Sequence, residues 1–357
     1  MKIPYSGIHL MVLAFPLLSS AAGCRDGLKE SPPVGPVWVV FTTSNSPLIN
    51  NHINEIGSDN EQRIWFATDK GASAFSKQIW TGIRDQLTDS ASNPIMVTSV
   101  FQDKGGSIWF TLMGGGVERY NPSGSGAVWV RYTENDGLPS NFVYRGAPYL
   151  FEPGDVWFAT ALGIGRFTPS KTDPVIGDWA TLTAKEIPEL SSNRVTFVVT
   201  NTADNTIWFG TQSGTVIRAW YDYILRWGER TPPANFYGIT AIAFDRNNNP
   251  WIGTSLSAWQ EDLRHDDWTE YDYQTTQGRL PRGPVNAIVA DRTNNRIWFG
   301  TNGGLFGLRD TAWTIFKRSN SPLPSDTVRS LFIDYRGNLW IGTAAGIAEY
   351  NGLGTQQ

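Results

Sequence analysis

The stretch Asp334-Tyr335-Arg336-Gly337-Asn338-Leu339-Trp340-Ile341-Gly342-Thr343 decides the fold, because the chain repeats it. The earlier copies are Ile64-Trp65-Phe66-Ala67-Thr68, Ile108-Trp109-Phe110-Thr111, Val156-Trp157-Phe158-Ala159-Thr160, Ile207-Trp208-Phe209-Gly210-Thr211, Trp251-Ile252-Gly253-Thr254 and Ile297-Trp298-Phe299-Gly300-Thr301. The tryptophans fall 44, 48, 51, 43, 47 and 42 residues apart. A period of about 40–50 residues is that of a propeller blade of four strands.

Each copy keeps the same surroundings. An apolar run such as Val97 to Phe101 or Val328 to Ile333 precedes it and reads as the innermost strand. A polar turn follows, Asp103-Lys104-Gly105-Gly106 or Asp334-Tyr335-Arg336-Gly337, with the Asp and Gly that a hairpin needs. The Trp run is the second strand, and a Gly-bearing turn opens a third, as in Gly116 to Tyr120 and Gly346 to Tyr350. The fourth opens on another tryptophan: Trp80, Trp129, Trp179, Trp268 or Trp313, with Trp227 fitting less well. Trp220 and Trp259 stand outside the pattern.

The seventh copy stops at Tyr350-Asn351 with no fourth strand after it. Its match lies at the other end. Trp38-Val39-Val40-Phe41 runs into Ser44-Asn45-Ser46-Pro47-Leu48 as Trp313-Thr314-Ile315-Phe316 runs into Ser319-Asn320-Ser321-Pro322-Leu323. The sequence therefore predicts an all-β, seven-bladed propeller of four-stranded blades over residues 37–351, closed by an N-terminal strand that completes the last blade. Such closure removes an edge that would otherwise seek a partner.

Residues 313–350 resemble the two-component regulator propeller repeat nearly in full, and the looser copies extend the resemblance over residues 37–351. In that family such propellers form the periplasmic sensing half of hybrid histidine kinases, and they also occur as secreted or lipid-anchored proteins. The resemblance implies a ligand- or protein-binding role and specifies no substrate. No transmembrane helix, kinase or DNA-binding segment follows residue 351 in this sequence, so signalling within one polypeptide is not expected.

Residues 1–23 carry Lys2, an apolar stretch from Ile8 to Leu18 and the small residues Ser19 to Gly23, the makings of a secretory signal. The apolar stretch is too short to span a bilayer. Ala21-Ala22-Gly23-Cys24 resembles a lipobox, which implies lipidation of Cys24, the single cysteine. Residues 24–36, with Pro32, Pro33 and Pro36, read as a tether, and 352–357 as a tail. The expected location is the envelope, exported and lipid-anchored, with the outer membrane preferred.

Net charge is −4 from 29 basic and 33 acidic residues without a run of either sign, which argues against nucleic acid as a partner. One cysteine excludes an internal disulfide and multi-cysteine metal sites. Of the three histidines, His9 lies in the signal, His265 in an outer-rim turn, and His52 stands alone before an inner strand. Streptogramin-lyase-like enzymes share this fold, but no histidine cluster of the expected kind appears. Asp245 to Asn249 occupies the repeat's hairpin turn and lacks the Gly and closing Glu of a calcium loop. No catalytic residue, metal site or cofactor is predicted.

Propellers bind where the fourth-to-first and second-to-third loops surround the axis. There the sequence places Asp69, Lys70, Met113, Gln212 and Asn302 in loops, and Arg145, Arg194 and Arg329 near the starts of inner strands. The arginines either cap neighbouring blades through carbonyl bonds or bind a carboxylate or acidic sugar. The reading reached is a sensor-like or protein-interaction module for a small molecule, glycan or envelope protein. A lyase or hydrolase and a structural subunit of a surface assembly are the alternatives.

Overall fold

The computed structural model describes residues 37–122, 128–151, 154–170, 176–222, 224–232 and 238–352. The signal, Cys24, the tether and residues 353–357 lie outside them. The described residues form seven four-stranded antiparallel sheets. Blade 1 is Ile53–Ser58, Ile64–Thr68, Gly71–Ser76 and Ile79–Ile83, in that order from the axis outward, and blades 2 to 6 repeat it. Blade 7 is Val328–Ile333, Leu339–Thr343 and Gly346–Tyr350, with Trp38–Phe41 as its fourth strand. Trp38 pairs with Tyr350 and Phe41 with Ile347, so the predicted closure is present. The turns after the two matching fourth strands are superposable in detail. Asn45 accepts from Thr42 N at 2.7 Å and donates to Val40 O at 3.0 Å, and Asn320 does the same with Lys317 N and Ile315 O at 2.7 and 3.0 Å. Among the described residues no helix is long and apolar enough to cross a membrane.

The motif follows from the stacking of blades. Second strands lie between two neighbouring sheets, so Ile64–Thr68, Val156–Thr160 and Leu339–Thr343 are buried along their whole length and read as continuous apolar runs rather than alternating ones. The Gly of Trp-x-Gly-Thr gives room to the next blade: a Cβ on Gly210 would stand 2.3 Å from Ile239 Cγ2. The Thr hydroxyl closes the following hairpin, as when Thr343 donates to Gly346 O at 2.8 Å. In blades 1, 2 and 7 the turn Asp accepts turn amides and also the indole N–H of the Trp six residues on, at 2.7 Å for Asp59–Trp65 and Asp103–Trp109 and 3.0 Å for Asp334–Trp340. Trp227 is in full register after all: Ile207, Ala219 and Trp227 align across blade 4 as Ile64, Phe75 and Trp80 do in blade 1.

Candidate functional site

Every inner strand begins with a bulge at its second residue, seen as register shifts between Ile53 and Glu55, Val97 and Ser99, Val143 and Arg145, and so on round the ring. The bulge turns that residue toward the neighbouring blade. Asn54, Thr98, Thr196, Thr240 and Asn286 each donate to the first carbonyl of the next inner strand, at Val97, Val143, Ile239, Val285 and Val328, over 2.6–2.9 Å. These short polar side chains, not the arginines, make the carbonyl bonds between blades.

The ring is broken at its two bulkier members, Tyr144 and Arg329. Arg329 donates through Nη2 to Asn54 Oδ1 at 3.1 Å. Burial pushes its guanidinium below the ordinary value, opposed by the charge of Asp69. The Arg194 guanidinium lies 5.3 Å over the Tyr144 ring. Between these sites a cavity of about 370 Å³ opens at the axial mouth, lined by Arg194, Thr196, Gln212, Thr240, Asn286 and Arg329 among others.

Three residues expected from sequence, Arg194, Gln212 and Arg329, thus share one cavity. Asn302 adjoins it by accepting from Asn286 Nδ2 at 2.9 Å. Asp69 lies at the same end of the ring, 3.0 Å from Asn54 Nδ2 and 2.8 Å from His52 Nδ1. His52 therefore does not stand alone, as its sequence position suggested. Lys70 is exposed beside Asp69, and Met113 forms a backbone β-bridge with Phe142, a residue 52% exposed. Thr196, Thr240 and Asn286 were missed. Their signal is a polar residue second in each inner strand, legible only once the bulge is known.

Arg145 is engaged elsewhere. It forms an ion pair with Glu55, two blades away, and lies 4.3 Å over the Phe197 ring. Burial raises the Glu55 carboxyl, and Arg145, Ser99 and the Val100 amide pull it back. Loss of Arg145 removes the largest of these opposing influences and lifts Glu55 further. Arg145→Met is therefore expected to destabilise the fold by about 3 kcal/mol at pH 8. The deficit shrinks toward pH 5, where Glu55 can hold a proton. Urea melts at the two pH values check this; an equal loss at both refutes it.

His265 and Asp262, the other His–Asp pair, lie on the outer rim 2.8 Å apart, the histidine exposed and the aspartate part-buried. Asp245 spends its carboxylate on the amides of Asn247 and Asn249 at 2.8 and 2.9 Å, as a hairpin turn requires.

Comparison with known proteins bears on this architecture. Residues 322–345 match the family described as two component regulator propeller. The seventh blade carries that family's repeat. No curated protein matches the chain. Among solved structures, the propeller is similar to the extracellular domain assigned to the hybrid two component system BT3049 of B. thetaiotaomicron, at 20% identity and a TM-score of 0.64 over 85% of this chain and 40% of that one. It is also similar to virginiamycin B lyase from Staphylococcus aureus, at 16% identity and 0.64 over 88% and 99% of the two chains. A third is PorZ of Porphyromonas gingivalis, a surface component of the type-IX secretion system, at 16% and 0.63 over 87% and 48%. This chain spans about two fifths of that extracellular domain and half of PorZ. At these identities the likeness is one of fold.

Proposed function

We propose that this propeller is a lipid-anchored, sensor-like binding module of the bacterial envelope, tethered through Cys24, whose axial mouth takes an anionic small molecule such as an acidic sugar. The observation that carries this is the pair of guanidiniums, Arg194 and Arg329, on one polar cavity of about 370 Å³. Two forks on a part-buried concave surface suit a carboxylate, and Gln212, Thr240 and Asn286 supply neutral partners for hydroxyls.

The test is calorimetry of the native protein with glucuronate, galacturonate, N-acetylneuraminate and citrate. At least one is expected to bind, and Arg194→Ala and Arg329→Ala are each expected to weaken it about tenfold or more, a loss of about 1.4 kcal/mol. Binding to none of the four, or affinity that survives both substitutions, overturns the proposal.

A second reading, an enzyme with the fold of the lyases, is favoured by the His52–Asp69 pair at the same end of the ring. His next to a carboxylate is a usable acid–base unit. The same titrations followed by proton NMR decide between the two, since turnover consumes the ligand and binding does not.

A further inference from the structure

The far end of the molecule, where first-to-second-strand turns emerge, holds a departure from the repeat. In blades 2, 3 and 4 the third-strand residue opposite the repeat Trp is an arginine: Arg119 opposite Trp109, Arg166 opposite Trp157, and Arg218 opposite Trp208. Each guanidinium lies over its indole, at 5.1, 5.7 and 5.9 Å. Each also faces the carboxylate of the preceding turn, Asp103, Asp155 or Asp204, at 3.3, 4.0 and 3.6 Å. Blade 1 reaches the same arrangement from another position, with Arg63 5.7 Å over Trp65 and 2.6 Å from Asp59.

Blade 7 keeps the tryptophan and the turn carboxylate but supplies an acid where the arginine belongs. Trp340, itself buried, donates through Nε1 to Asp334 Oδ2 at 3.0 Å, and the residue opposite it is Glu349. The Asn338 amide bridges the two carboxylates, its Nδ2 donating to Asp334 Oδ2 at 3.2 Å and to Glu349 Oε1 at 2.9 Å. Arg336, in the same turn, donates its Nε to the Tyr335 hydroxyl at 2.6 Å and lies 5.1 Å over that ring. The space between blades 7 and 1 is a groove of about 460 Å³ with Phe41, Phe75 and Trp340 among its walls and Asp334 and Glu349 on its lining.

We propose that this groove binds an organic cation, a guanidinium or ammonium group that displaces the Asn338 amide from between Asp334 and Glu349 and sits beside Trp340, in the place that sister blades fill with their own arginine. An aromatic face and paired carboxylates are complementary to such a group, and the fold itself demonstrates the fit three times over. The site is separate from the axial mouth and does not depend on what binds there.

Burial, with the charge of Asp334 added, raises Glu349 to about 7, while Arg336 and Asn338 work against the rise. Glu61 and Lys77, from two turns of blade 1, also face the groove. Because a cation favours ionised Glu349, binding strengthens as pH rises through 7. If only the ionised form binds, affinity at pH 8 exceeds that at pH 6 by roughly tenfold.

The test is calorimetry on the full chain at pH 6 and 8 with three probes: agmatine, the capped peptide acetyl-Gly-Arg-Gly-amide, and its citrulline counterpart. A guanidinium probe is expected to bind more tightly at pH 8, and the neutral citrulline peptide not at all. Preference for agmatine identifies a small amine, and preference for the peptide identifies an arginine side chain of a protein partner. Glu349→Arg restores the sister-blade pattern, so it is expected to abolish binding while the melting temperature holds or rises. Glu349→Gln keeps the shape and removes the pH dependence. The proposal falls if neither guanidinium probe binds at millimolar concentration at pH 8, or if Glu349→Arg binds as the native protein does. Should Glu349→Arg fail to fold, an intact pH dependence in Glu349→Gln overturns it instead.

Discussion

Removal of residues 37–43 is expected to lower the melting temperature and to make the protein self-associate. The deletion takes away the strand paired to Gly346–Tyr350 from Trp38–Tyr350 to Phe41–Ile347. It also strips Trp38 from between Tyr350 and Phe316, with ring centroids at 4.6 and 5.0 Å, and Phe41 from Trp80 and Phe75, both at 5.3 Å. What remains is an open edge with a row of unpaired backbone groups beside exposed aromatic rings, a template for pairing with another chain. Size-exclusion chromatography with light scattering reads the outcome. A monomeric truncation with an unchanged melting temperature would show that the seam contributes nothing.

The second large effect is in the core. Trp208 is fully buried, and its indole N–H donates to Thr206 Oγ1 at 2.8 Å, whereas Trp220 is only half-buried on the outer part of the same blade. Trp208→Ala is expected to cost about 3–5 kcal/mol from lost transfer energy and the cavity left behind. For a domain of this size that corresponds to a fall of roughly 5–8 °C in melting temperature. Trp220→Ala is expected to cost well under half as much. Paired thermal melts decide, and equal losses would contradict the division of the tryptophans into repeat and non-repeat positions.

The ring was legible because its causes are local and recur. A Trp, a turn Asp, a Gly where blades approach and a Thr closing a hairpin sit within a dozen residues of each other in the fullest copies, and seven recurrences of the Trp strand make the pattern plain. Closure was legible for the same reason, since Trp38 to Leu48 spells a second time what Trp313 to Leu323 spells once. The mouth was legible only in part. Arg194, Gln212 and Arg329 could be placed by their offset from the motif, but nothing near Arg145 in sequence announces Glu55, which lies two blades away and claims it. Likewise the polar bulge ring depends on a register shift that leaves no mark on apolar alternation. The reversal at Glu349 is invisible residue by residue. It emerges only when strand pairing shows which side chain faces each Trp.

The seam also sets an order of events. Val37 donates to Asn351 across 314 positions of sequence, while every other strand pair joins neighbours in the chain. Bringing such distant segments together costs about 3 kcal/mol more in loop entropy than forming a ten-residue hairpin. Six leaves can therefore assemble from nearby sequence while the last waits for its guest strand. The slowest step in folding is then expected to be the locking of the circle, and a C-shaped precursor is the form most exposed to proteases and to its own kind.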